Sequence, residues 1–342
     1  MKAAVFHGPQ DVRIEDVPEP SDPVSGEVVL EVLRAAICGT DASEWSHGPI
    51  LCRPGVVLGH EFVGRVAAVG AGVDGVRVGD RVVSGAGISC GRCAWCRAGR
   101  TNLCSEYSTL GLQVDGGLAE YVTSPASICH HVPDRVDDDA AAMTQPLAVA
   151  LHALFRVALK RDETVAVIGV GGIGSFIVAG AVHRAVDGRV VAVDIDAQRL
   201  ATAAALGADE AVDASGRDLG ELLLDLTDGA GFDVVIEATG TPHAPAAAVR
   251  GARRGGRVLL VGLHGGAREL ELTPMILREV DVFTTVAHVC DTDIPAALAL
   301  LAASSVASVT AGPRISLDEL VAEGLRPLAE RRATGKILVD PS

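Results

Sequence analysis

The sequence predicts an α/β protein in two parts: a mostly β, barrel-like region up to about Pro146, then a doubly wound parallel sheet covered by helices on both faces. Three observations carry this. Short Val-rich runs bounded by Gly, Pro and Asp crowd the first part. Strand and helix patterns alternate in the second. An Ala/Leu-rich stretch, "DAAAMTQPLAVALHALFRVA", separates the two textures.

In the first part, "EVVLEVL", "VVLGHEFVGRVAAVG", "DRVVSGAG" and "GGLAEYVTSP" are β-branched runs closed by turn residues, the signature of short strands. The change comes at Asp139, and Pro146 marks a helix start or kink. Beyond it, "ETVAVIG", "GRVVAVD", "FDVVIEATG" and "GGRVLLVGL" read as strands. Helices are expected between them at 172–185, in "AQRLATAAALG" and in "APAAAVRGAR". Near-continuous apolar strands alternating with helices suit a parallel sheet buried on both faces. After "VDVFTTVAHV" the helical pattern returns in "DIPAALALLAAS" and "LDELVAEGLRPLAE". The closing "GKILVDP" is strand-like and could complete either part. No internal repeat or low-complexity linker is present.

Composition narrows the function. A chain of 342 residues that is 49% apolar has material for two cores. Its net charge of −15 would be repelled by nucleic acid and by anionic membrane surfaces, so the expected partner is a small molecule or a second copy of the chain. "MKAAVFHGPQDVRIEDV" lacks the apolar core of a secretory leader, and no uncharged apolar run is long enough to cross a bilayer. These features predict a cytoplasmic protein.

Four of the 8 cysteines, Cys90, Cys93, Cys96 and Cys104, lie in "CGRCAWCRAGRTNLC". A ferredoxin-type run would close with a shorter gap and a proline, and haem attachment would need a histidine directly after Cys-x-x-Cys. In a reducing compartment the spacing predicts a closed tetrathiolate zinc site, with Arg92, Arg97 and Arg100 positioned to offset its negative charge. Such a site is structural and does no chemistry.

Gly169, Gly171 and Gly174 form G-x-G-x-x-G at a strand-to-helix junction, with Gly172 and Ile173 between them at the helix start. Glycine there lets backbone amides approach a pyrophosphate at the helix N-terminus. The next strand ends in Asp194, where a carboxylate would take the adenosine ribose hydroxyls. Asp194 with Asp196 would repel a 2′-phosphate, so NAD is expected over NADP, with Arg199 the one nearby cation that favours the latter.

"AAICGTDASEW" offers Cys38, Thr40 and Asp41, and "VVLGHEFVGRV" offers His60 and Glu61. Cysteine, histidine and carboxylate are the ligand types of a catalytic zinc with one open position. Taken alone, Cys38 reads equally well as a small buried thiol and His60 as a hydrogen-bonded core histidine, so the residues by themselves leave the metal open.

In combination, "CGTD", "GHE", the cysteine spacing, "GVGGIG" and the closing "GKILVD" make the chain resemble the zinc-dependent medium-chain alcohol dehydrogenases, closest to their polyol, butanediol and threonine dehydrogenase branch. The resemblance implies a GroES-like catalytic domain (1–147, with the structural zinc lobe at about 88–106), a Rossmann NAD-binding domain (148–286), and a return segment (287–342) completing the first, with the active site in the cleft between them. It implies that Cys38, His60 and Glu61 hold a catalytic zinc, that Asp41 orients His60, and that Thr40 takes the substrate proton into a relay. Two zinc ions per chain and a homodimer or homotetramer follow from the same likeness.

Two departures stand out. The branch usually has glutamate where this chain has Gln145, and a neutral amide is a poor zinc ligand. The family commonly has a proton-passing histidine where this chain has Ser43, which cannot hold a proton near neutral pH. The relay is then expected to leave through water, the cofactor ribose or His47. Cys52, Cys129 and Cys290 read as ordinary thiols, and His130, His131 and His152 as packed or solvated side chains. The resemblance implies oxidation of a secondary alcohol (polyol, cyclitol, diol or hydroxy-amino compound) or reduction of its ketone. The rival readings are a zinc-independent NADPH quinone or enone reductase on the same scaffold and a non-catalytic dinucleotide-binding protein. Loops near Trp45, Ser46, Trp95 and Leu263 are expected to shape the substrate site.

Overall fold

The computed structural model describes residues 1–342, which form two compact units: Met1–Ala148 with His288–Ser342, and Val149–Ala287. In the first unit a 7-stranded sheet runs in the order Cys129–His131, Arg81–Ser84, Glu61–Val69, Glu27–Ala36, Lys336–Asp340, Ala311–Ser316, with Tyr121–Pro125 also on Glu27–Ala36. A 3-stranded sheet places Lys2–Gly8 between Asp11–Asp16 and Val56–Val57. Phe6, Leu30, Ile37, Leu58, Phe62 and Leu118 are fully buried in the core of this unit. Each such side chain contributes about 1.5–3 kcal/mol by leaving water.

The sheet register assembles one end of this unit. Ala36 lies opposite Glu61 on one side and opposite Leu338 on the other, both antiparallel. Ile37 then donates its N–H to the Ile337 carbonyl at 3.0 Å. Cys38 follows just beyond the central strand, so Glu61 and the preceding His60 on one side and Lys336 on the other converge on it.

The second unit holds a 6-stranded parallel sheet in the order Glu210–Asp213, Arg189–Asp194, Thr164–Ile168, Phe232–Glu237, Ala252–Leu260, Asp281–Thr284. The chain starts in the middle and winds outward both ways, so the topological switch lies between Thr164–Ile168 and Phe232–Glu237. Central strands such as Arg189–Asp194 are buried on both faces, whereas the edge strands Glu210–Asp213 and Asp281–Thr284 are largely exposed, as a sheet with helices on both sides requires.

Several elements depart from the sequence reading. The expected helix in "LDELVAEGLRPLAE" is a 3₁₀ turn at Leu317–Glu319, a π-helical turn at Leu320–Leu325 and one α-turn at Arg326–Ala329. Pro327 cannot donate to the carbonyl of Glu323, and a Cβ on Gly324 would fall 2.4 Å from Ile37 Cδ1, so the wide turn allows close packing that a regular helix would not. Strand Glu210–Asp213 and helix Leu219–Asp225 carry too little apolar periodicity to stand out. That helix is started by Asp218, whose carboxylate accepts the Glu221 N–H. The closing strand joins the first unit, pairing with Glu27–Ala36. No helix is long and apolar enough to cross a membrane.

Candidate metal and cofactor sites

Cys38, His60 and Glu61 offer one donor atom each within 4.8 Å of one another. Cys38 caps helix Gly39–His47, and its N–H donates to Asp41 Oδ2 at 2.8 Å. Asp41 is wholly buried, and its other oxygen lies 3.6 Å from His60 Nδ1, too long for a hydrogen bond. Glu61 Oε1, His60 Nδ1 and Asp41 Oδ1 are buried without hydrogen bonds. Such orphaned donor atoms, converging with a thiol, fit a divalent metal better than they fit a protein core. Burial opposes a charged His60 ring, but Asp41, Cys38 and Glu61 outweigh it and push its pKa up to about 10. Burial likewise pushes Asp41 up, against the pull of His60 and the Cys38 N–H.

Lys336 was not anticipated. It is 9% exposed and ion-paired through Nζ with Glu61 Oε2. Burial works against its charge, but Glu61, Cys38 and Asp41 prevail and raise its pKa. A sequence signal existed: it is one of three lysines in the chain, and it opens a strand whose next three residues are apolar.

Thr40 Oγ1 lies 3.6 Å from Cys38 Sγ and is half-buried, while Ser43 and His47 are exposed. Residues 40, 43 and 47 fall on one stripe of the helix. Gln145 is half-buried in the first turn of helix Thr144–Arg156. Trp45 is buried in the core of the first unit, whereas Trp95 and Leu263 are exposed. His152 is buried and His131 bonds the Gly75 carbonyl, consistent with packing roles. Burial raises the thiol pKa of Cys129 to about 11 and of Cys290 to about 12, and raises that of Cys52 as well, so these thiols stay protonated.

Cys90, Cys93, Cys96 and Cys104 also form a donor cluster within 4.8 Å, with Cys93 and Cys96 sulfurs 3.5 Å apart. Zinc–sulfur bonds of about 2.3 Å place tetrahedral sulfurs about 3.8 Å apart, so the spacing fits a tetrathiolate and not a disulfide. Backbone N–H groups aim at the sulfurs: Cys90 and Glu106 at Cys104, and Cys96 at Cys93. Those amides lower Cys93 to about 6 and also lower Cys104, whereas burial raises Cys96 to about 11. Arg92, expected to offset thiolate charge, is paired chiefly with Glu106.

In the second unit, Gly169 has φ +86°, and a Cβ there would lie 2.5 Å from the Thr239 methyl. Gly171 caps helix Gly172–Arg184, and Gly172 faces open space. Ile173 is half-buried in the first turn. A Cβ on Gly174 would fall 1.8 Å from the Gly169 carbonyl oxygen. The turn therefore has the open cradle and close helix packing that a pyrophosphate site demands. Asp194 is buried at its strand end. It accepts N–H groups from Val170 at 2.7 Å, Ile195 at 2.8 Å and Asp196 at 3.1 Å, with Arg199 Nη1 3.9 Å away.

Two family models match: the alcohol dehydrogenase GroES-like domain over residues 24–134 and the zinc-binding dehydrogenase domain over residues 172–303. Sorbitol dehydrogenase of Bacillus subtilis (strain 168) is 35% identical over 83% of this chain and 81% of its own. The crystal structure of 2R,3R-butanediol dehydrogenase from Bacillus subtilis superposes with a TM-score of 0.89 at 31% identity, covering 100% of this chain and 99% of that one. A structure described as a zinc-binding dehydrogenase from Sinorhizobium meliloti 1021 bound to NADP gives 0.90 at 32%, covering 99% of each chain. This chain belongs to the zinc-type medium-chain alcohol dehydrogenase family, with a GroES-like unit and a Rossmann-like unit.

Proposed function

We propose that this chain is a zinc- and NAD-dependent dehydrogenase interconverting a secondary alcohol of the polyol, cyclitol, diol or hydroxy-amino kind with its ketone. The converging Cys38, His60 and Glu61 donor set carries the reading, since a zinc-independent reductase or a non-catalytic binding protein has no use for it. Zinc, when bound, supplies a Lewis acid for the carbon–oxygen bond, and NAD supplies the hydride acceptor.

Cys38, His60 and Glu61 would hold the metal, with Gln145 outside the set. Asp41 holds the His60 ring in orientation, as metal-bound histidines require. The Thr40 hydroxyl would take the proton of the substrate alcohol, and Ser43 and His47 on the same helix stripe would lead it to solvent. Cys90, Cys93, Cys96 and Cys104 would hold a second, structural zinc. Gly169, Gly171, Gly172, Ile173 and Gly174 would cradle the pyrophosphate. Asp194 accepts ribose hydroxyls, favouring NAD, and Arg199 stands 3.9 Å from it as the one opposing influence. The enzyme is read as a cytoplasmic homodimer or homotetramer acting on a small molecule.

The test is NAD reduction with a panel of polyols, vicinal diols, cyclitols and hydroxy-amino acids, with and without a zinc chelator. Alcohol-dependent NADH formation that chelation abolishes supports the reading. NADPH-dependent enone reduction indifferent to chelation overturns it.

A further inference from the structure

Glu237 ends strand Phe232–Glu237 and is 0% exposed. Its Oε1 accepts the Thr239 N–H at 2.7 Å, the Thr239 hydroxyl at 2.6 Å and the Gly240 N–H at 2.9 Å. Its Oε2 meets His264 Nε2 at 3.1 Å. Its backbone carbonyl accepts the N–H groups of Val261 and Gly262, which follow the neighbouring strand Ala252–Leu260. A buried carboxylate is costly unless it is fully hydrogen-bonded, and an apolar residue would serve the strand equally well. What the charge does here is join two loops at the carboxyl ends of adjacent parallel strands.

The loops leave no slack. A Cβ on Gly262 would lie 2.3 Å from the Gly240 nitrogen and 2.8 Å from Glu237 Oε2, and one on Gly240 would lie 2.6 Å from the Leu263 carbonyl oxygen. Thr239, held by Glu237, also packs its methyl against Gly169, the first glycine of the nucleotide turn. A continuous path thus runs from Gly169 through Thr239 and Glu237 to His264. His264 Nδ1 is buried without a hydrogen bond, and Leu263 beside it is 89% exposed.

Resting on the dinucleotide reading above, the sheet order assigns the two ends of the cofactor. Asp194 marks the half that takes adenosine, so the half built on Phe232–Glu237 and Ala252–Leu260 takes the nicotinamide end. We propose that the Glu237–His264 pair is a positioning device for the nicotinamide end of the cofactor, fixing the loop at 261–266 against the turn at 238–241. His264 acts through the loop, and its Nε2–H toward Glu237 is the bond that matters.

The test compares binding of NADH with binding of ADP-ribose, which lacks nicotinamide, by fluorescence titration and calorimetry on the zinc-loaded protein. H264A is expected to weaken NADH binding about tenfold while leaving ADP-ribose within about twofold, and H264Q, whose amide replaces the Nε2–H donor, to restore NADH binding. Should H264A fail to fold, H264N, whose amide is too short to reach Oε2, carries the same comparison. Equal loss for both ligands, or unchanged NADH binding, overturns the proposal. Failure of the unaltered protein to bind either ligand would instead overturn the dinucleotide reading beneath it.

Discussion

Replacing Lys336 with methionine tests how the metal site is balanced. Lys336 and Glu61 are 9% and 1% exposed, so their ion pair has little solvent to screen it. Methionine keeps the bulk of the side chain and removes the charge, leaving Glu61 a buried, uncompensated anion. Breaking a buried pair in this way costs about 3–5 kcal/mol. For a unit of this size that lowers the melting temperature by about 6–20 °C. Both tryptophans, Trp45 in the core and Trp95 in the cysteine lobe, belong to the first unit, so intrinsic fluorescence follows its unfolding selectively. The melt is run with zinc bound and after chelation. If Glu61 also ligates zinc, the metal supplies a second cation and K336M costs clearly less in the loaded protein. A shift below about 2 °C in the metal-free protein would refute the buried-pair argument. Equal losses in both states would refute Glu61 as a ligand.

Two further outcomes follow from the site geometry. In the metal-free protein His60 titrates near 10, so below that pH a proton must leave before zinc binds, and zinc affinity should fall at least about tenfold per pH unit between pH 8 and pH 6. Competition with a chelator of known affinity measures this, and a flat profile would contradict a neutral His60 as ligand. Substituting Asp194→Ser keeps an acceptor for the loop amides but removes the charge beside Arg199, so the ratio of kcat/KM for NAD to that for NADP should drop by about tenfold or more. An unchanged ratio would mean that Asp194 does not face the ribose.

Features whose chemistry sits in one stretch of chain were legible. The four lobe cysteines span a single loop, and the glycine turn and Asp194 lie within one strand–helix–strand unit, so spacing carries their meaning directly. Cys38 and His60 were legible as ligand types, but only the strand register shows why they meet: Ala36 pairs with Glu61, and Cys38 follows two residues on, where His60 precedes Glu61. Lys336 arrives from the opposite end of the chain through antiparallel pairing with Glu27–Ala36, a contact that leaves no trace in local periodicity. Glu237 at a strand end and His264 on a loop are 27 residues apart and meet only once parallel strands align, and neither carried a motif. Short edge elements such as Glu210–Asp213 escaped because half-exposed charged strands lack an apolar pattern.

The same charges set the electrostatic balance of the proposed metal site. With a divalent metal bound, the Cys38 thiolate, Glu61 and Asp41 supply three negative charges against the metal's two and one from Lys336, so the buried group is neutral. Lys336 thus completes the charge balance of the three acids around it.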